Sequence, residues 1–482
     1  MTWSTDVLVC GSGLAGHCAA LAAAECGAEV VLIEKTASAG GSSALAGGGF
    51  AFAGTDLQAA RGVVDGPEAL RRDMSEVGGG KADPALIETY VARQLETYEW
   101  LRSNGVVFSL GISSTPGAVP RVHSTAQGAA IKALHMRVEA ENRIQYVDRT
   151  AAGRLITVDG AVVGALVNVD GAPKEIQARK GVILATGGFS RSARLIETYA
   201  PGLSAAFKLG GTGNTGDGLL MAGRVGAGQA DMGYITATFG VAASRFPDTE
   251  QGPDEDSVLL FPIYRGAIMV NRDGVRFADE SANYKSLSAS CARQPNGIAF
   301  QLFDSKVMAQ SASTSSINNY EGALKRGLIL TALDLDQLGQ MIGVPEGALR
   351  QTVLRYNRDL LDGGVDRDFG RRAPAYGSAS PLSGIDTAPF YAFPCANAIT
   401  ATYCGLTVNS RMQVLDVFGE IIPGLFAAGE ILGGFHGRSY LSGSALGKAA
   451  ISGRVAGAAA GDRPRPGMPS RPDPDRHLGS AR

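Results

Sequence analysis

Three glycines near the start of the chain have the spacing that binds a phosphate group. Gly11, Gly13 and Gly16 form a Gly-x-Gly-x-x-Gly motif. In such a motif the first glycine permits a tight turn, the second lets the backbone approach a pyrophosphate, and the third lets a helix pack on a strand. Glu34 follows at the distance where a carboxylate binds a ribose hydroxyl. These residues predict a dinucleotide site.

The elements that must position these residues are present around them. Apolar runs over Asp6–Cys10 and Glu29–Glu34 predict two strands, and the small residues between them predict a helix. The N-terminus of that helix offers free N–H groups to an anion. A signal peptide is an alternative for residues 7–24, but no basic segment precedes the run and glycines interrupt it. A generic glycine turn in an α/β protein is the other alternative.

Composition limits the other classes. The chain has 482 residues, 45% hydrophobic and 19% charged, with a net charge of −2. This composition predicts two domains or one elaborated domain, and it gives no general attraction for nucleic acid. The six cysteines form no Cys-x-x-Cys pair, so we expect reduced thiols and a cytoplasmic protein. We expect no metal cluster and no membrane span.

More glycine loops follow along the chain. Gly40–Gly49 holds nine small residues besides Leu45, and it would wrap a ligand with Ser42 and Ser43 as hydrogen-bond donors. A buried strand over Val182–Gly188 ends in a second glycine turn, and Gly210–Gly218 opens a predicted helix. The nucleotide-type pattern returns near the C-terminus in Gly424–Glu430. Repeated turns of this kind predict several contacts with one cofactor.

The patterns between these loops predict the domain organisation. Residues 67–105 are expected to be helical, most clearly Pro84–Ser103, and Ala126–Asn142 is expected to form another helix. Three β runs, Leu155–Val158, Ala161–Val169 and Glu175–Ala178, predict a meander. We therefore predict an α/β fold with a discontinuous Rossmann-like domain (residues 1–230 and 390–461) carrying an inserted β-meander. A smaller α+β substrate-capping domain (231–389) and a disordered tail (462–482) complete the prediction.

Taken together, the motifs resemble a flavoprotein family: the dehydrogenases and reductases related to soluble fumarate reductase and 3-ketosteroid dehydrogenases. Besides the glycine motif with Glu34, the resemblance depends on Gly40-Gly-Ser-Ser, Ala185-Thr-Gly-Gly188, Asn214-Thr-Gly-Asp-Gly218, Val270-Asn-Arg-Asp-Gly-Val-Arg-Phe277 and Gly424-Leu-Phe-Ala-Ala-Gly-Glu430. It covers nearly the whole chain.

The resemblance implies FAD as the cofactor. Covalent links in related enzymes use a histidine near the second glycine loop, and Gly40–Gly49 contains none, so we expect non-covalent FAD. Backbone N–H groups of Ser444, Ala445 and Leu446 would face the flavin pyrimidine. The implied cofactor residues are Gly11, Gly13, Leu14, Ala15, Gly16, Glu34, Lys35, Gly41, Ser42, Ser43, Gly48, Gly49, Ala185, Thr186, Gly187, Asn214, Asp217, Gly429, Glu430, Ser444, Ala445 and Leu446.

The branch of the family decides the chemistry. Fumarate reductases use an arginine where this chain has Tyr284, a histidine where it has Thr400–Tyr403, and a second arginine where it has Tyr440. These differences argue against fumarate reduction. The two tyrosines are similar to the ketosteroid dehydrogenase arrangement, which implies Tyr284 as the base for an α-proton and Tyr440 as the donor to the ketone oxygen. Gly443 or Ser444 would supply a second N–H donor.

A tyrosine with a pKa of about 10 needs that pKa lowered before it can act as a base. Lys285 is adjacent in sequence, although neighbours in sequence need not point together. Arg121, His123 and Arg438 are basic residues near the expected site, and an arginine fork binds a carboxylate well. Tyr403 would add to an apolar wall. These residues suit a small cyclic keto acid such as 4-oxocyclohexanecarboxylate.

Three other functions stay open at this point. A 3-ketosteroid dehydrogenase would use the same chemistry in a larger apolar cavity, although the further N-terminal tyrosine of those enzymes has no match here. An alkene reductase would run the reaction backwards. A flavin-bearing electron-transfer subunit would have no substrate of its own. The electron acceptor, whether oxygen, a quinone or a carrier protein, is not specified by the motifs.

Overall fold

The computed structural model describes residues 3–110, 119–204, 206–235, 237–243, 246, 258–313, 317–363, 366–375 and 380–464. Residues 465–482, most of the predicted disordered tail, lie outside this part. The described residues form 19 strands. The strands are β1 (Trp3–Cys10), β2 (Val30–Ile33), β3 (Gly49–Ala51), β4 (Ser109–Leu110), β5 (Val122–Ser124), β6 (Ile144–Val147), β7 (Thr150–Val158), β8 (Ala161–Val169), β9 (Ala172–Leu184), β10 (Phe207–Lys208), β11 (Gln229–Ala230), β12 (Thr238–Ala242), β13 (Ile268–Val270), β14 (Ile298–Asp304), β15 (Leu330–Ala332), β16 (Phe390–Ile399), β17 (Gly405–Leu406), β18 (Gln413–Leu415) and β19 (Ile421–Ala427).

The same residues form 14 α-helices. The helices are α1 (Leu14–Glu25), α2 (Gly41–Leu45), α3 (Asp56–Ala59), α4 (Pro67–Val77), α5 (Pro84–Ser103), α6 (Ala129–Ala140), α7 (Ala193–Tyr199), α8 (Asp217–Arg224), α9 (Tyr284–Ala292), α10 (Ser305–Met308), α11 (Tyr320–Lys325), α12 (Leu335–Ile342), α13 (Ala348–Gly363) and α14 (Ser444–Gly461). The bounds of α5 confirm the helix predicted there, and the Asp83 side chain caps it by accepting from the Ala85 N–H at 2.8 Å. Helix α6 starts later than the predicted Ala126–Asn142 because Gly128, at φ +71°, is its N-cap. None of the described helices has the length and apolar character needed to cross a bilayer.

The first sheet carries the glycine motif. Its strand order is β18-β19-β9-β1-β2-β6, and β7 and β8 extend it as an antiparallel meander beside β9. Strand β1 pairs in parallel with β2 and β9, and all four residues of β2 are buried. Parallel strands need crossover connections, which α1 provides between β1 and β2. The predicted strand–turn–helix–strand unit is therefore confirmed, and strands from both ends of the chain build this sheet.

Strand β9 differs from the prediction. The sequence suggested two strands, one over Glu175–Ala178 in the meander and one over Val182–Gly188, but a single strand of 13 residues, which ends at Leu184, contains the first and the start of the second. Gly181 permits this continuity at φ +149°, where a Cβ atom would lie 2.7 Å from the carbonyl oxygen of Gly424 on β19. The meander and the nucleotide-type sheet consequently share one strand.

Helices α1 and α14 pack closely behind the first sheet. A Cβ atom at Gly453 would lie 2.4 Å from the carbonyl oxygen of Ala15, and one at Gly457 would lie 2.2 Å from that of Ala19. Only glycine allows backbones to approach this closely. The contact holds α14 alongside α1, with Gly453, the tenth residue of α14, opposite Ala15 near the N-terminus of α1.

The second sheet is organised around β16. Strand β10 pairs with β16, as do β12, β14 and β15, and β13 adds to β14. The predicted boundary at residue 390 differs from this arrangement, because Phe390–Ile399 is the central strand of the second sheet and not the start of the returning cofactor domain. An apolar strand buried on both faces has the same sequence pattern in either sheet. The sequence alone therefore did not show which sheet contains this strand.

A buried ion network lies beside this second sheet. The Arg276 guanidinium donates to both Glu280 carboxylate oxygens at 2.9 and 2.7 Å and to both Asp366 oxygens at 2.7 and 2.9 Å. Arg371 reaches Glu280 at 3.3 Å from the other side. All four side chains are almost completely buried. The network fixes the segment that leads into α9.

Replacing Arg276 with methionine is expected to destabilise the folded protein by roughly 3–5 kcal/mol, because it leaves buried carboxylates without their cation. Urea unfolding of the purified protein measures the change. The matched control is Arg350→Met, which breaks an exposed pair with Asp336 and should cost at most about 1 kcal/mol. Equal losses in the two variants would contradict a structural role for the buried network.

Candidate active site and cofactor site

The first glycine motif combines two glycines fixed by packing and one that faces open space. A Cβ atom at Gly11 (φ +103°) would lie 2.4 Å from the carbonyl oxygen of Ala185, and one at Gly16 would lie 1.8 Å from that of Gly11. Gly13 has an ordinary φ of −69°, and its nearest neighbour, the Ser43 hydroxyl, is 3.6 Å away. The protein itself does not require glycine at position 13, so the space before it fits a pyrophosphate.

The predicted ribose-binding carboxylate is held at the end of β2. Glu34 Oε2 accepts from the N–H and the hydroxyl of Ser12, each at 3.0 Å, and Oε1 accepts from the N–H of Thr36 at 2.9 Å. Glu34 is therefore bonded to the glycine turn itself, since Ser12 stands between Gly11 and Gly13. The contact with a ribose stays a prediction.

The second glycine loop reaches both the first motif and the third. The Leu14 N–H donates to the Ser43 hydroxyl at 3.2 Å, and the Gly211 N–H donates to the Ser42 hydroxyl at 3.0 Å. Here the serine hydroxyls accept rather than donate. Beside them lies an open cleft lined by Leu14, Ser43, Gly48, Phe50, Thr125, Gly128, Ala130, Ile131 and Leu446. The first glycine motif, the second glycine loop and the segment at Leu446 thus border one cleft.

Polar atoms around Glu430 are left for a ligand. Glu430 accepts from the Asn214 amide at 3.2 and 3.1 Å and from the Thr402 N–H at 2.9 Å. Within the described part of the chain, Asn214 Oδ1 and Thr186 Oγ1 are buried without a hydrogen-bond partner. Buried polar groups are normally paired, so these two atoms fit contacts with a polar cofactor.

Lys35 and Asp217 bind each other. The Lys35 ammonium lies 2.7 Å from the Asp217 carboxylate and donates to Thr215 at 2.5 Å. The two predicted cofactor residues therefore already have partners. Their pair ties the end of β2 to the start of α8, and any cofactor contact from either side chain is secondary to that role.

The N-terminus of α14 packs against β3. Gly443 adopts φ +86°, and a Cβ atom there would lie 2.8 Å from the Ala51 nitrogen. The Ser444 N–H donates to the Leu441 carbonyl at 2.9 Å, which removes it as the proposed second donor to a ketone. The N–H groups of Gly443, Ala445 and Leu446 make no backbone hydrogen bond within the described residues, so these groups are available to ligands.

The tyrosines predicted to be catalytic meet across the two sheets. Tyr284, the first residue of α9, donates its hydroxyl to that of Tyr440 at 3.2 Å. Tyr403 stacks on Tyr440 with ring centroids 5.0 Å apart. Burial, with the neighbouring Tyr440 and Tyr403, raises the pKa of Tyr284 well above 10, and burial raises the pKa of Tyr403 likewise. The structure thus brings together three of the predicted site residues.

Lys285 lies among these three rings. Its Nζ atom is 5.0 Å from the ring centroid of Tyr403, 5.6 Å from that of Tyr284 and 5.8 Å from that of Tyr440. It donates to the Thr238 hydroxyl on β12 at 2.9 Å. Burial lowers the pKa of Lys285 to about 7. The sequence signalled this lysine only through its position next to Tyr284.

His436 is a site neighbour that sequence reasoning missed. Its ring lies edge-on to Tyr403 and Tyr440, with centroids 5.2 and 5.8 Å away. Burial, together with Lys448 and Lys285, lowers its pKa well below 6.5, so the imidazole is neutral at pH 7. Its place between the glycine pair Gly433-Gly434 and the single Gly437 was the only signal in the sequence.

Arg121 and His123 are not placed as substrate ligands. The Arg121 guanidinium donates to both Asp65 oxygens at 2.7 and 2.8 Å and to Asp73 at 2.5 Å. Both His123 ring nitrogens have partners, Thr55 at 2.7 Å and the Arg121 carbonyl at 2.8 Å. The predicted carboxylate clamp is wrong for these two residues, because acidic and polar side chains from other segments already satisfy them.

Arg438 is likewise separate from the tyrosines. Its side chain is exposed, and its carbon atoms are those nearest to Gly79, on the surface loop between α4 and α5. Its backbone N–H donates to the Gly78 carbonyl at 3.1 Å. The backbone of this residue therefore positions the segment before Tyr440, and the structure gives no support to a carboxylate contact.

His17 occupies the helix behind the pyrophosphate position, as predicted. Its Nδ1 atom is 3.0 Å from the Gly13 carbonyl and its Nε2 atom is 3.1 Å from His135. Burial lowers the pKa of His17 to about 4. Both ring nitrogens are engaged, which accords with the expectation of a non-covalent cofactor, and that expectation stays a prediction.

A substitution at Gly13 should separate folding from cofactor binding. Gly13→Val leaves the backbone unstrained but fills the space before α1, so we expect a folded protein that binds FAD at least about tenfold more weakly. Fluorescence titration of the apoprotein with FAD, with circular dichroism as the folding check, measures this. Gly16→Val is the matched comparison and should disrupt folding, since its Cβ overlaps the Gly11 carbonyl. Unchanged FAD affinity in Gly13→Val would contradict the predicted position of the pyrophosphate.

Comparisons with known proteins agree with this geometry. The FAD binding domain family matches residues 6–446. A fumarate reductase (cytochrome) from Shewanella frigidimarina is 33% identical over 433 residues, covering 88% of this chain and 71% of the relative. The 4-oxocyclohexanecarboxylate 2-dehydrogenase of Sinomonas cyclohexanicum is 28% identical over 515 residues, covering 88% and 86%.

A solved structure extends the comparison. The 3-ketosteroid-Δ4-(5α)-dehydrogenase from Rhodococcus jostii RHA1, in complex with 4-androstene-3,17-dione, matches with a TM-score of 0.73 and 28% identity, covering 96% of this chain and 97% of that chain. The family, the glycine cradle and the unpaired polar atoms agree on the cofactor. The chain belongs to the FAD binding domain family and is an FAD-dependent oxidoreductase of the group that includes fumarate reductases and ketosteroid dehydrogenases.

Proposed function

We propose that this enzyme oxidises a small cyclic ketone to the α,β-unsaturated ketone. The observation that carries the proposal is the pair of hydroxyls, Tyr284 and Tyr440, which meet at 3.2 Å from opposite sides of the site. Removal of a hydride from a β-carbon needs an enolate-like partner, and that partner needs a base at the α-carbon and donors at the ketone oxygen. The tyrosine pair is suited to both tasks.

Each residue has a distinct role in this proposal. Tyr440 donates to the ketone oxygen, and the Gly443 N–H replaces the Ser444 N–H as the second donor. Tyr284 accepts the α-proton on its phenol oxygen. Bound FAD supplies the acceptor for the hydride that leaves the β-carbon. Tyr403, stacked on Tyr440, keeps that ring in place and excludes water from one side of the site.

A keto acid such as 4-oxocyclohexanecarboxylate is the substrate we favour. The support is the 28% identity to the Sinomonas dehydrogenase over 88% of this chain. The two arginines expected to hold its carboxylate do not face the tyrosines, so we assign no arginine clamp to the acid group. A 3-ketosteroid is the second candidate, because the structural match with a steroid dehydrogenase covers 97% of that enzyme's chain.

Reduction of an unsaturated dicarboxylate is less well supported. Its recognition needs cationic groups that hold two carboxylates. Around the tyrosines, the described part of the chain offers Lys285, with its pKa near 7, and the neutral His436. A ketone with at most one carboxylate fits this environment better than a dianion does.

The first test is anaerobic reduction of the enzyme-bound flavin by candidate substrates. We expect 4-oxocyclohexanecarboxylate to bleach the flavin absorbance within seconds of mixing. Cyclohexanone should bleach it more slowly. Bleaching by a 3-ketosteroid alone would establish the second candidate. If no ketone bleaches the flavin and fumarate reoxidises the prereduced enzyme, the ketone proposal is wrong.

The second test removes the proposed base. Tyr284→Phe should lower the rate of flavin reduction by a ketone about 10²- to 10⁴-fold, the range for loss of a general base. Stopped-flow absorbance measures this rate. Tyr320→Phe is the matched control, since Tyr320 is a buried tyrosine whose hydroxyl bonds to Asn318 at 3.0 Å outside the site. An electron-transfer subunit would be indifferent to both changes.

A further inference from the structure

Lys285 occupies a position that the proposed roles of the tyrosines do not explain. Its stem leaves the first turn of α9, yet its ammonium group turns inward to lie within 6 Å of three tyrosine ring centroids. Burying a lysine without an acidic partner is costly. The hydrogen bond to Thr238 is the one polar contact that Nζ makes within the described residues. Such a position calls for a functional reason.

The groups that face Lys285 come from four elements. The hydroxyl and the phenols carry no charge while they keep their protons, and the imidazole is neutral at pH 7. Strand β12 contributes a hydroxyl, α9 itself a phenol, the segment after β16 a second phenol, and the segment before α14 a third phenol and an imidazole. In that order they are Thr238, Tyr284, Tyr403, Tyr440 and His436. Lys285 is therefore the group in this cluster that carries charge most readily.

We propose that Lys285 is a positioning residue that acts through Tyr284, by holding the proton that the tyrosine hydroxyl gives up before it serves as a base. This assignment rests on the proposed ketone oxidation. With both groups protonated, the pair carries one positive charge and Tyr284 cannot accept a proton. Loss of one proton to solvent leaves a neutral amine beside a phenol, and transfer of the phenol proton to the amine gives an ammonium beside a phenolate.

The phenolate form is the reactive one, and its charges balance through the turnover. The substrate α-carbon gives its proton to the phenolate oxygen, and the hydride from the β-carbon goes to FAD. The ammonium of Lys285 stays protonated during that step. After the product leaves, the pair returns a proton to solvent and is ready again. No other oxidant or co-reactant takes part in the step.

The electrostatic coupling is large enough for this role. The Lys285 Nζ atom lies 5.6 Å from the ring centroid of Tyr284, and at an effective dielectric constant of about 20 two unit charges roughly 6 Å apart change each other's pKa by about two. Burial raises the pKa of Tyr284 well above 10, so the tyrosine alone is a poor base at neutral pH. Burial lowers the pKa of Lys285 to about 7, so the first proton leaves the pair near that pH.

The test is the pH dependence of kcat/KM for ketone oxidation. Since the reactive pair has lost a proton, the wild-type rate should fall as the pH drops below about 7. In Lys285→Met the tyrosine must ionise alone, and we expect the acid limb to move up by at least two pH units, with about a 100-fold loss at pH 7. Lys285→Arg keeps a charge in the site, so its acid limb should lie between the other two.

The control is Lys306→Met, which removes a lysine that pairs with Asp304 at 2.8 Å outside the site. Its pH profile should match that of the wild type. Retained FAD and an unchanged unfolding midpoint exclude a folding defect in each variant. An acid limb that stays near pH 7 in Lys285→Met overturns the proposal.

A measurement without substrate separates this proposal from the ketone function. In holoenzyme labelled with [ε-¹³C]lysine, the resonance missing from Lys285→Met should titrate near pH 7, whereas exposed lysines titrate near 10. That result supports the inference even if no ketone proves to be a substrate. A Lys285 resonance still fully protonated at pH 9, in a holoenzyme that also lacks the tyrosinate absorbance that Tyr284→Phe removes, overturns the inference whatever the substrate is.

Discussion

The whole site depends on the contact between α1 and α14, in which glycines of α14 pack directly against the backbone of α1. Cβ atoms at Gly453 and Gly457 would overlap the carbonyl groups of α1, so any side chain there would force the helices apart. Because the contact is rigid, the pyrophosphate cradle at one helix N-terminus and the free N–H groups at the other keep a fixed separation. Leu14 and Leu446, from the two termini, line the same cleft. The two ends of the chain form one binding surface for this reason.

The second sheet supplies the opposite wall, and its precision comes from the buried ion network. Arg276 holds Glu280 and Asp366, and Glu280 lies four residues before Tyr284. Asn283 then caps α9 by accepting from the Lys285 N–H at 2.8 Å. A fixed segment followed by a capped helix turn restricts the tyrosine to a small range of positions. Such support is needed because catalytic groups lose most of their effect when displaced by an ångström.

Local patterns predicted the cofactor half of the site well, since the physics of a glycine turn involves adjacent residues. The strands around Gly11 and the cap of α5 follow from short-range rules, and the structure confirms both. The tyrosine pair followed from family resemblance and not from spacing. The prediction that Arg121 binds a substrate carboxylate was wrong because its partners, Asp65 and Asp73, are 56 and 48 residues away in sequence. No local pattern indicates such pairing. The predicted domain boundary at β16 was wrong because the apolar pattern of a strand does not specify which sheet the strand joins.

The same burial that makes Tyr284 and Tyr403 weaker acids makes Lys285 a weaker base, and these opposite effects have one physical origin. A low-dielectric site disfavours an isolated phenolate and an isolated ammonium alike. A phenolate beside an ammonium carries no net charge, so the environment penalises the pair less than either ion alone. Burial therefore moves the two pKa values apart, upward for Tyr284 and down to about 7 for Lys285, whereas in water both would lie near 10. The partly buried Tyr284 becomes a usable base at neutral pH only when a cation lies beside it to stabilise its phenolate, which is the arrangement that β12 and α9 build around Lys285.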